Sequence, residues 1–305
     1  MPARMPVQPD PETADKPTAR WSQGRRLEFL DFRLRWEGRI NRSDLTSFFG
    51  ISVPQASLDI SKYLELAPEN AIYDRSSKVY LATDRFNPLF PSNEPSRYLN
   101  ELLARETGVL PAELSFLGWT PPMAAVVAPS RQLDANTVVA VLAAIRLKVC
   151  LRVTYQSMSS TEAKPRIIAP HGVAFDGYRW HVRAFCHTRK EFRDFVMARM
   201  LGVDLIEEPG SDGVSDDAWH CQVPLVIAPN PALSKANRKV IELDYGMVDG
   251  EVALECRQAL LFYSLNRLGL LDAAASEPHK QQIVLKNRAA VLKFLPVVST
   301  DEGRA

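Results

Sequence analysis

The 305-residue sequence has few cysteines and no long apolar segment. Its four cysteines form no Cys-x-x-Cys pair, which favours a reducing compartment over a disulfide framework. No apolar run approaches the roughly 18 residues of a membrane span, and the N-terminus lacks the apolar core of a secretory signal. We therefore predict a cytoplasmic protein with no membrane partner.

Motifs of the common enzyme classes are also missing. The sequence contains no G-x-x-x-x-G-K-[ST], G-x-G-x-x-G, G-x-S-x-G or H-E-x-x-H, which argues against the commonest hydrolases and dinucleotide enzymes. His181, Cys186 and His187 are neighbours in sequence but lack a fourth metal ligand, so no metal site and no cofactor is predicted. The acidic pairs at 207–208 and 216–217 are interpreted as solvated loop residues.

The net charge of +1 indicates no class of partner, but the charged residues are distributed unevenly along the chain. Residues 20–42 hold seven arginines against three acidic residues, and residues 146–199 hold eleven basic against four acidic residues. Residues 200–305 hold ten basic against fifteen acidic residues. We therefore expect two basic zones, of the kind that neutralises phosphate, followed by an acidic region.

A winged helix-turn-helix is predicted over residues 19–90, after a proline-rich tail at 1–18 that we expect to be disordered. A helix after Arg20 is followed by a second from Arg42 to Phe49, which Gly50 ends. Ser52 and Gln55 have the spacing of a capping box and begin a third helix. Two short strands over 72–81 complete the motif.

The third helix is the expected DNA-reading element. Val53, Ala56, Ile60 and Leu64 are predicted to face inward, whereas Asp59 and Leu58 are placed outside. Leu58 could contact either a thymine methyl group or the first helix. The arginines of the first helix could instead form ion pairs within that helix. The candidate DNA contacts are Arg25, Arg26, Arg42, Ser52, Gln55, Ser57, Lys62, Arg75, Ser77 and Lys78.

Further along the chain we expect a helical linker at 91–132, a sensing domain at 133–206 and an extension and dimerisation domain at 218–305. The sensing domain is predicted as one helix (134–148) and four strands (151–156, 166–175, 178–186 and 192–201), which suit a small bent sheet or barrel. In the extension domain, strands are predicted at 240–245, 251–256 and 281–285, with a helix at 259–270. Strand alternation puts Arg179, His181 and Arg183 on one outer face, where they could bind phosphate or simply be solvated.

The run RWHVRAFCHTRKEFRDFVMARM (179–200) resembles the core of the WYL-domain transcriptional regulators, with Trp180-His181-Val182 in place of Trp-Tyr-Leu. The N-terminal stretch (25–83) is similar to the winged helix of one branch, the repressors found beside bacterial phage-defence operons (BREX and CBASS regulators). This resemblance implies an α+β multidomain protein with a winged helix-turn-helix, a small Sm-like β-barrel (WYL) domain and a C-terminal α/β extension domain. It also implies a homodimer whose basic WYL groove binds a nucleic-acid or nucleotide effector. The ligand residues it implies are Tyr155, Ser157, His171, Trp180, His181, Arg183, Arg193 and Arg199.

The leading functional hypothesis is a homodimeric, non-enzymatic repressor that reads an inverted-repeat operator in double-stranded DNA and controls a phage-defence operon. The effector bound at the WYL domain would modulate its DNA binding. Two alternatives stay open: an activator that needs its ligand to bind DNA, and a nucleic-acid-processing enzyme docked by a winged helix. The second alternative needs a metal or a nucleophile, and the sequence contains no clear candidate for either.

Overall fold

The computed structural model describes residues 23–91, 93–126, 129, 131–272 and 277–295. The predicted disordered tail at 1–18 lies outside these residues. The chain divides into two compact units, Met1–Ala128 and Pro129–Ala305. Each unit has its own hydrophobic core, and each is described by itself.

The first unit is a winged helix-turn-helix. Its three-stranded antiparallel sheet has the order β1-β3-β2. The chain runs through α1 (Gln23–Glu37), β1 (Arg39–Ile40), α2 (Arg42–Phe49), α3 (Val53–Leu66), β2 (Ala71–Asp74), β3 (Val79–Ala82) and α4 (Pro95–Glu106).

Local capping chemistry sets the ends of α2 and α3. Asn41 and Asp44 form a reciprocal capping box at the start of α2, and Gly50 ends that helix in the left-handed conformation at φ 66°. The hydroxyl of Ser52 accepts the backbone N–H of Gln55 at 3.3 Å. These bonds satisfy backbone groups that helix ends otherwise leave unpaired, so the predicted bounds of α2 and the predicted start of α3 agree with the structure. Only the Ser52 half of the predicted capping box forms, because the Gln55 side chain bonds to Asp59 instead.

The inward face of α3 differs from the prediction at three positions. Ala56 and Ile60 are buried as expected, but Val53 is 59% exposed and Leu64 is only partly buried. Asp59, predicted to face outward, is fully buried. Asp59 lies three residues after Ala56 and four before Tyr63, which are also buried, so helical spacing alone places it on the core face.

The second unit begins with a helix packed on an antiparallel sheet. The strand order is β7-β6-β5-β4-β8, and β7 and β8 are its edges, so among the described residues the sheet is open and no closed barrel is found. The strand predicted at 192–201 covers only the first residues of β8, and the interpretation of residues 207–208 as loop residues is wrong, because they lie in β8. The elements are α5 (Ala135–Leu147), β4 (Val149–Tyr155), β5 (Lys164–Phe175), β6 (Trp180–Cys186), β7 (Glu191–Val196) and β8 (Met200–Pro209).

The remainder of the second unit forms a smaller α/β layer with the strand order β10-β9-β11. The strand predicted at 240–245 is wrong, because residues 240–244 belong to α7, a helix whose first turn is capped by Ser234. No described helix is long and apolar enough to cross a membrane. The elements are α6 (Asp217–His220), β9 (Gln222–Pro229), α7 (Lys235–Asp244), β10 (Val252–Arg257), α8 (Leu261–Arg267), β11 (Ile283–Leu285) and α9 (Arg288–Val291).

Candidate nucleic-acid interface and sensor site

The candidate DNA contacts of the first unit lie mainly on α3 and on the turn between β2 and β3, which we call the wing turn (residues 75–78). Of the ten candidates, five are exposed: Ser52 at the N-cap of α3, Lys62 in its third turn, and Arg75, Ser77 and Lys78 on the wing turn.

Arg42 connects α3 to the wing strands. Its Nε donates to the hydroxyl of Ser57 at 2.9 Å, and its Nη2 donates to the hydroxyl of Tyr80 at 3.4 Å. The Ser57 hydroxyl donates in turn to the carbonyl of Val53 at 3.0 Å. The position of the helix relative to the wing is therefore held by a polar cluster at the predicted interface.

Arg26 and Gln55 are engaged by the buried carboxylate of Asp59. The Arg26 guanidinium donates two bonds to this carboxylate, at 2.6 and 3.1 Å, and Gln55 Nε2 donates a third at 3.1 Å. Arg26 thus joins α1 to the recognition helix, a role that the sequence analysis missed. Arg25 pairs with Glu28 at 2.8 Å, which matches the alternative of ion pairs within the helix.

Asp74 organises the wing turn. Its carboxylate accepts the backbone N–H groups of Ser76 and Ser77 at 3.0 and 3.2 Å, and also both hydroxyls. The Ser77 hydroxyl is the largest of the hydrogen-bond effects that lower the pKa of Asp74 to about 2. Lys78 completes the turn in the left-handed conformation at φ 57°. The turn is therefore ordered by its own side chains.

A buried ion cluster lies on one face of the WYL-like sheet in the second unit. Arg183 donates to Asp216 from Nε at 2.7 Å and from Nη2 at 2.9 Å, and to Asp194 from Nη1 at 3.2 Å. His171 Nε2 lies 2.9 Å from the same Asp216 carboxylate. We call these four residues the Asp216 cluster. The interpretation of Asp216 as a solvated loop acid is wrong, since it is 2% exposed.

The pKa values in this cluster shift in opposite directions. Burial raises the pKa of Asp216, but the bonds and charge of Arg183, with His171, outweigh burial and lower it overall. Burial is the largest effect on His171, and together with the charges of Arg183 and His220 it lowers the pKa of this residue, although Asp216 raises it. Burial also dominates at Asp194 and raises its pKa. The cluster therefore carries little net positive charge for an added anion to neutralise.

His181, which stands at the Tyr position of the motif, is also buried. Its Nε2 lies 2.9 Å from Asp176 Oδ2, and its ring lies 4.7 Å from that of Tyr263. Arg179 donates to the same carboxylate at 2.9 Å. The outer-face prediction for His181 and Arg183 is therefore wrong, because residues from the C-terminal part of the unit cover that face.

The structure does not bring all the predicted ligand residues together. In the pairing of β6 with β7, Arg183 lies opposite Asp194, and Arg193 lies opposite Ala184. Paired residues share a face and successive residues alternate, so the two arginines project to opposite faces of the sheet. Tyr155 is buried, and its hydroxyl accepts the backbone N–H of Val196. Three other candidates lie elsewhere along the chain: Ser157 after β4, Arg193 in β7 beside Glu191, and Arg199 in the turn between β7 and β8.

Trp180 is the candidate with an open aromatic face. It is 46% exposed, and its ring centroid lies 4.9 Å from that of Phe175. The two rings border a recess of about 180 Å³ that is also lined by Arg131, Tyr178 and Arg179. No group of three or more potential metal ligands occurs within the described ranges.

Comparison with known proteins gives three matches to families that together cover most of the chain. Residues 22–104 match the BrxR transcriptional regulator winged helix-turn-helix domain, and residues 136–205 match the WYL domain. Residues 222–291 match the BrxR transcriptional regulator C-terminal dimerization domain.

Curated relatives extend these matches over nearly the whole chain. A protein of Stenotrophomonas maltophilia, named DNA-binding transcriptional repressor CapW, is 44% identical over 93% of this chain and 96% of its own length. Proteins of the same name from Escherichia coli (strain KTE188) and Pseudomonas aeruginosa are each 46% identical. They cover 91% and 93% of this chain, and 93% and 95% of their own lengths.

Proposed function

The chain belongs to the CapW family of DNA-binding transcriptional repressors, and on that premise we propose that it is a homodimeric repressor that reads an inverted repeat in duplex DNA. The role is regulatory rather than enzymatic. The sequence resemblance to repressors beside phage-defence operons supports such an operon as its target.

The observation that carries the DNA-binding proposal is the arrangement of α3 and the wing turn on one surface. The first turn of a recognition helix meets base edges in the major groove, and α3 begins with a capped, exposed first turn. Arg75 and Lys78 are exposed on the ordered wing turn, where their charges can contact phosphates. Arg42 joins the two elements, so helix and wing would dock as one body.

The match of residues 222–291 to a dimerization domain supports the homodimer. A two-fold dimer presents two recognition helices related by the same axis, so its operator should have the symmetry of an inverted repeat. Footprinting of the DNA upstream of its gene tests this proposal. Two protected half-sites about one or more helical turns apart are expected, and a single asymmetric footprint would contradict the dimeric reading.

We also propose that a nucleic-acid or nucleotide effector binds the WYL domain. The exposed rings of Trp180 and Phe175, with arginines at the rim of the recess, suit a base stacked beside a phosphate. The recess is smaller than the roughly 300–1,000 Å³ of whole-ligand pockets, so it would hold one base of a larger ligand. His171 and Arg183 contribute only if the ligand displaces Asp216, and we assign them a structural role.

A shift assay with short single-stranded oligonucleotides tests the effector. A ligand can release DNA only if it binds the DNA-incompetent dimer more tightly, so added oligonucleotide should weaken the shift. The Trp180→Ala variant should bind DNA normally and lose this response, while Trp119→Ala, which alters another exposed tryptophan, should keep it. Strengthening of the shift would identify an activator, and no response in the wild-type protein would refute the effector.

A further inference from the structure

The first two turns of α3 carry an exposed apolar strip formed by Val53, Pro54 and Leu58, which we call the apolar ridge. Leu58 is 63% exposed and Val53 is 59% exposed, and Pro54 lies between them on the surface. Because Leu58 points away from the core, the first helix of the domain is excluded as its packing partner. A recognition helix therefore presents mainly hydrocarbon where base edges are read.

The polar side chains beside the ridge are already engaged. The single O–H of Ser57 donates to the Val53 carbonyl, and its oxygen accepts from Arg42. Gln55 directs its Nε2 into the Asp59 carboxylate, which orients its amide. Because of these bonds, fewer hydrogen-bond donors at the start of α3 are available to contact DNA bases. Apolar contacts should therefore contribute more of the base specificity.

Charge around the ridge indicates what covers it. Arg42 is bonded to Ser57, next to Leu58, and Lys62 lies one helical turn after Leu58, so cationic side chains lie beside the hydrocarbon. Arg75 and Lys78 add exposed positive charge on the wing turn of the same domain. Such a surface fits a polyanion that offers an apolar group between its charges. In the major groove of DNA that group is the C5-methyl of thymine.

We propose that the apolar ridge, with Leu58 at its centre, determines operator specificity by contacting thymine methyl groups. This inference rests on the proposed DNA binding. Pro54 and Leu58 are four residues apart, so they lie on the same face of the helix, about 6 Å apart along its axis. Base pairs repeat at about 3.4 Å, so this pair spans about two consecutive base pairs.

Replacement of thymine by uracil tests the proposal, since it removes the methyl group and leaves the hydrogen-bonding edge intact. Full-length protein would be titrated against the footprinted operator made with thymine or with uracil in both half-sites. We expect the wild-type protein to bind the uracil duplex at least about 15-fold more weakly, because each of the two half-sites loses at least one buried methyl group worth about 0.8 kcal/mol. Leu58→Ala should bind the thymine duplex more weakly and lose this preference. Leu99→Ala, which removes a leucine of similar exposure (59%) from α4, should keep it.

Each outcome decides between the proposals. An unchanged thymine preference in Leu58→Ala would overturn the inference, as would equal binding of the two duplexes by the wild-type protein. In both cases DNA binding itself would stand. Failure of the wild-type protein to bind either duplex would refute the proposed function and the inference together.

Discussion

Replacing Asp216 by alanine should strongly destabilise the second unit. The substitution leaves the Arg183 guanidinium, whose side chain is 8% exposed, without its two shortest hydrogen bonds, and it also removes the partner of His171. Loss of one member of a buried ion pair costs about 3–5 kcal/mol. Asp194 still contacts Arg183 at 3.2 Å, so we expect the lower end, about 3 kcal/mol.

Calorimetry of the full-length protein measures this loss. For a unit of this size, 1 kcal/mol corresponds to about 2–4 °C, so the unfolding temperature of the second unit should fall by about 6–12 °C at fixed protein concentration. Asp217→Ala changes the adjacent, exposed aspartate and should stay within about 0.5 kcal/mol of the wild type. A fall of less than 2 °C for Asp216→Ala would refute the reasoning that this carboxylate holds Arg183 in place.

Two further predictions concern buried charges. Asp59→Ala should cost about 3 kcal/mol in urea denaturation of the full chain, because the Arg26 guanidinium, whose side chain is 12% exposed, loses both of its bonds to this buried carboxylate. Exposed Glu65→Ala should be nearly neutral. The pKa of His171 in the folded protein lies below its unfolded value of about 6.5. As the pH falls, this histidine is therefore protonated in the unfolded chain before it is protonated in the folded one. His171 should therefore contribute stability above pH 6.5 that declines as the pH falls below it. His171→Gln should reduce the fall in unfolding temperature between pH 7.5 and 5.5, and an unchanged pH profile would contradict this.

The winged helix could be predicted from sequence because its signals are local. Asn41, Gly50 and Ser52 each act within three or four residues, so the helix ends could be located without any knowledge of the fold. The family resemblance added the order of the domains. The matches of three chain segments to known families support this order.

The errors at Asp216, Arg183 and His181 share a physical cause, which is contact between distant parts of the chain. Asp216 is 33 residues from Arg183, and no periodicity in the sequence connects them. Strand alternation correctly places Arg183 and Val182 on opposite faces of the sheet. It could not show that the face with Arg183 is buried as well. The error in α7 has a local cause instead. The residues around Val240 have the β-branched character of a strand, but the capping Ser234, six residues earlier, begins a helix.

Ionic contact between the wing turn and duplex DNA is the central claim, and the salt dependence of operator binding tests it most directly. Affinity would be measured by fluorescence anisotropy at increasing salt for the wild-type protein, the double variant Arg75→Ala/Lys78→Ala and the control Lys280→Ala, which removes an exposed lysine of the second unit. Each lost phosphate contact should reduce the slope of log K against log salt by about 0.9. The double variant removes four such contacts per dimer and should lose about 3.6, and the control should lose nothing. A slope for the double variant equal to that of the wild type would contradict the account.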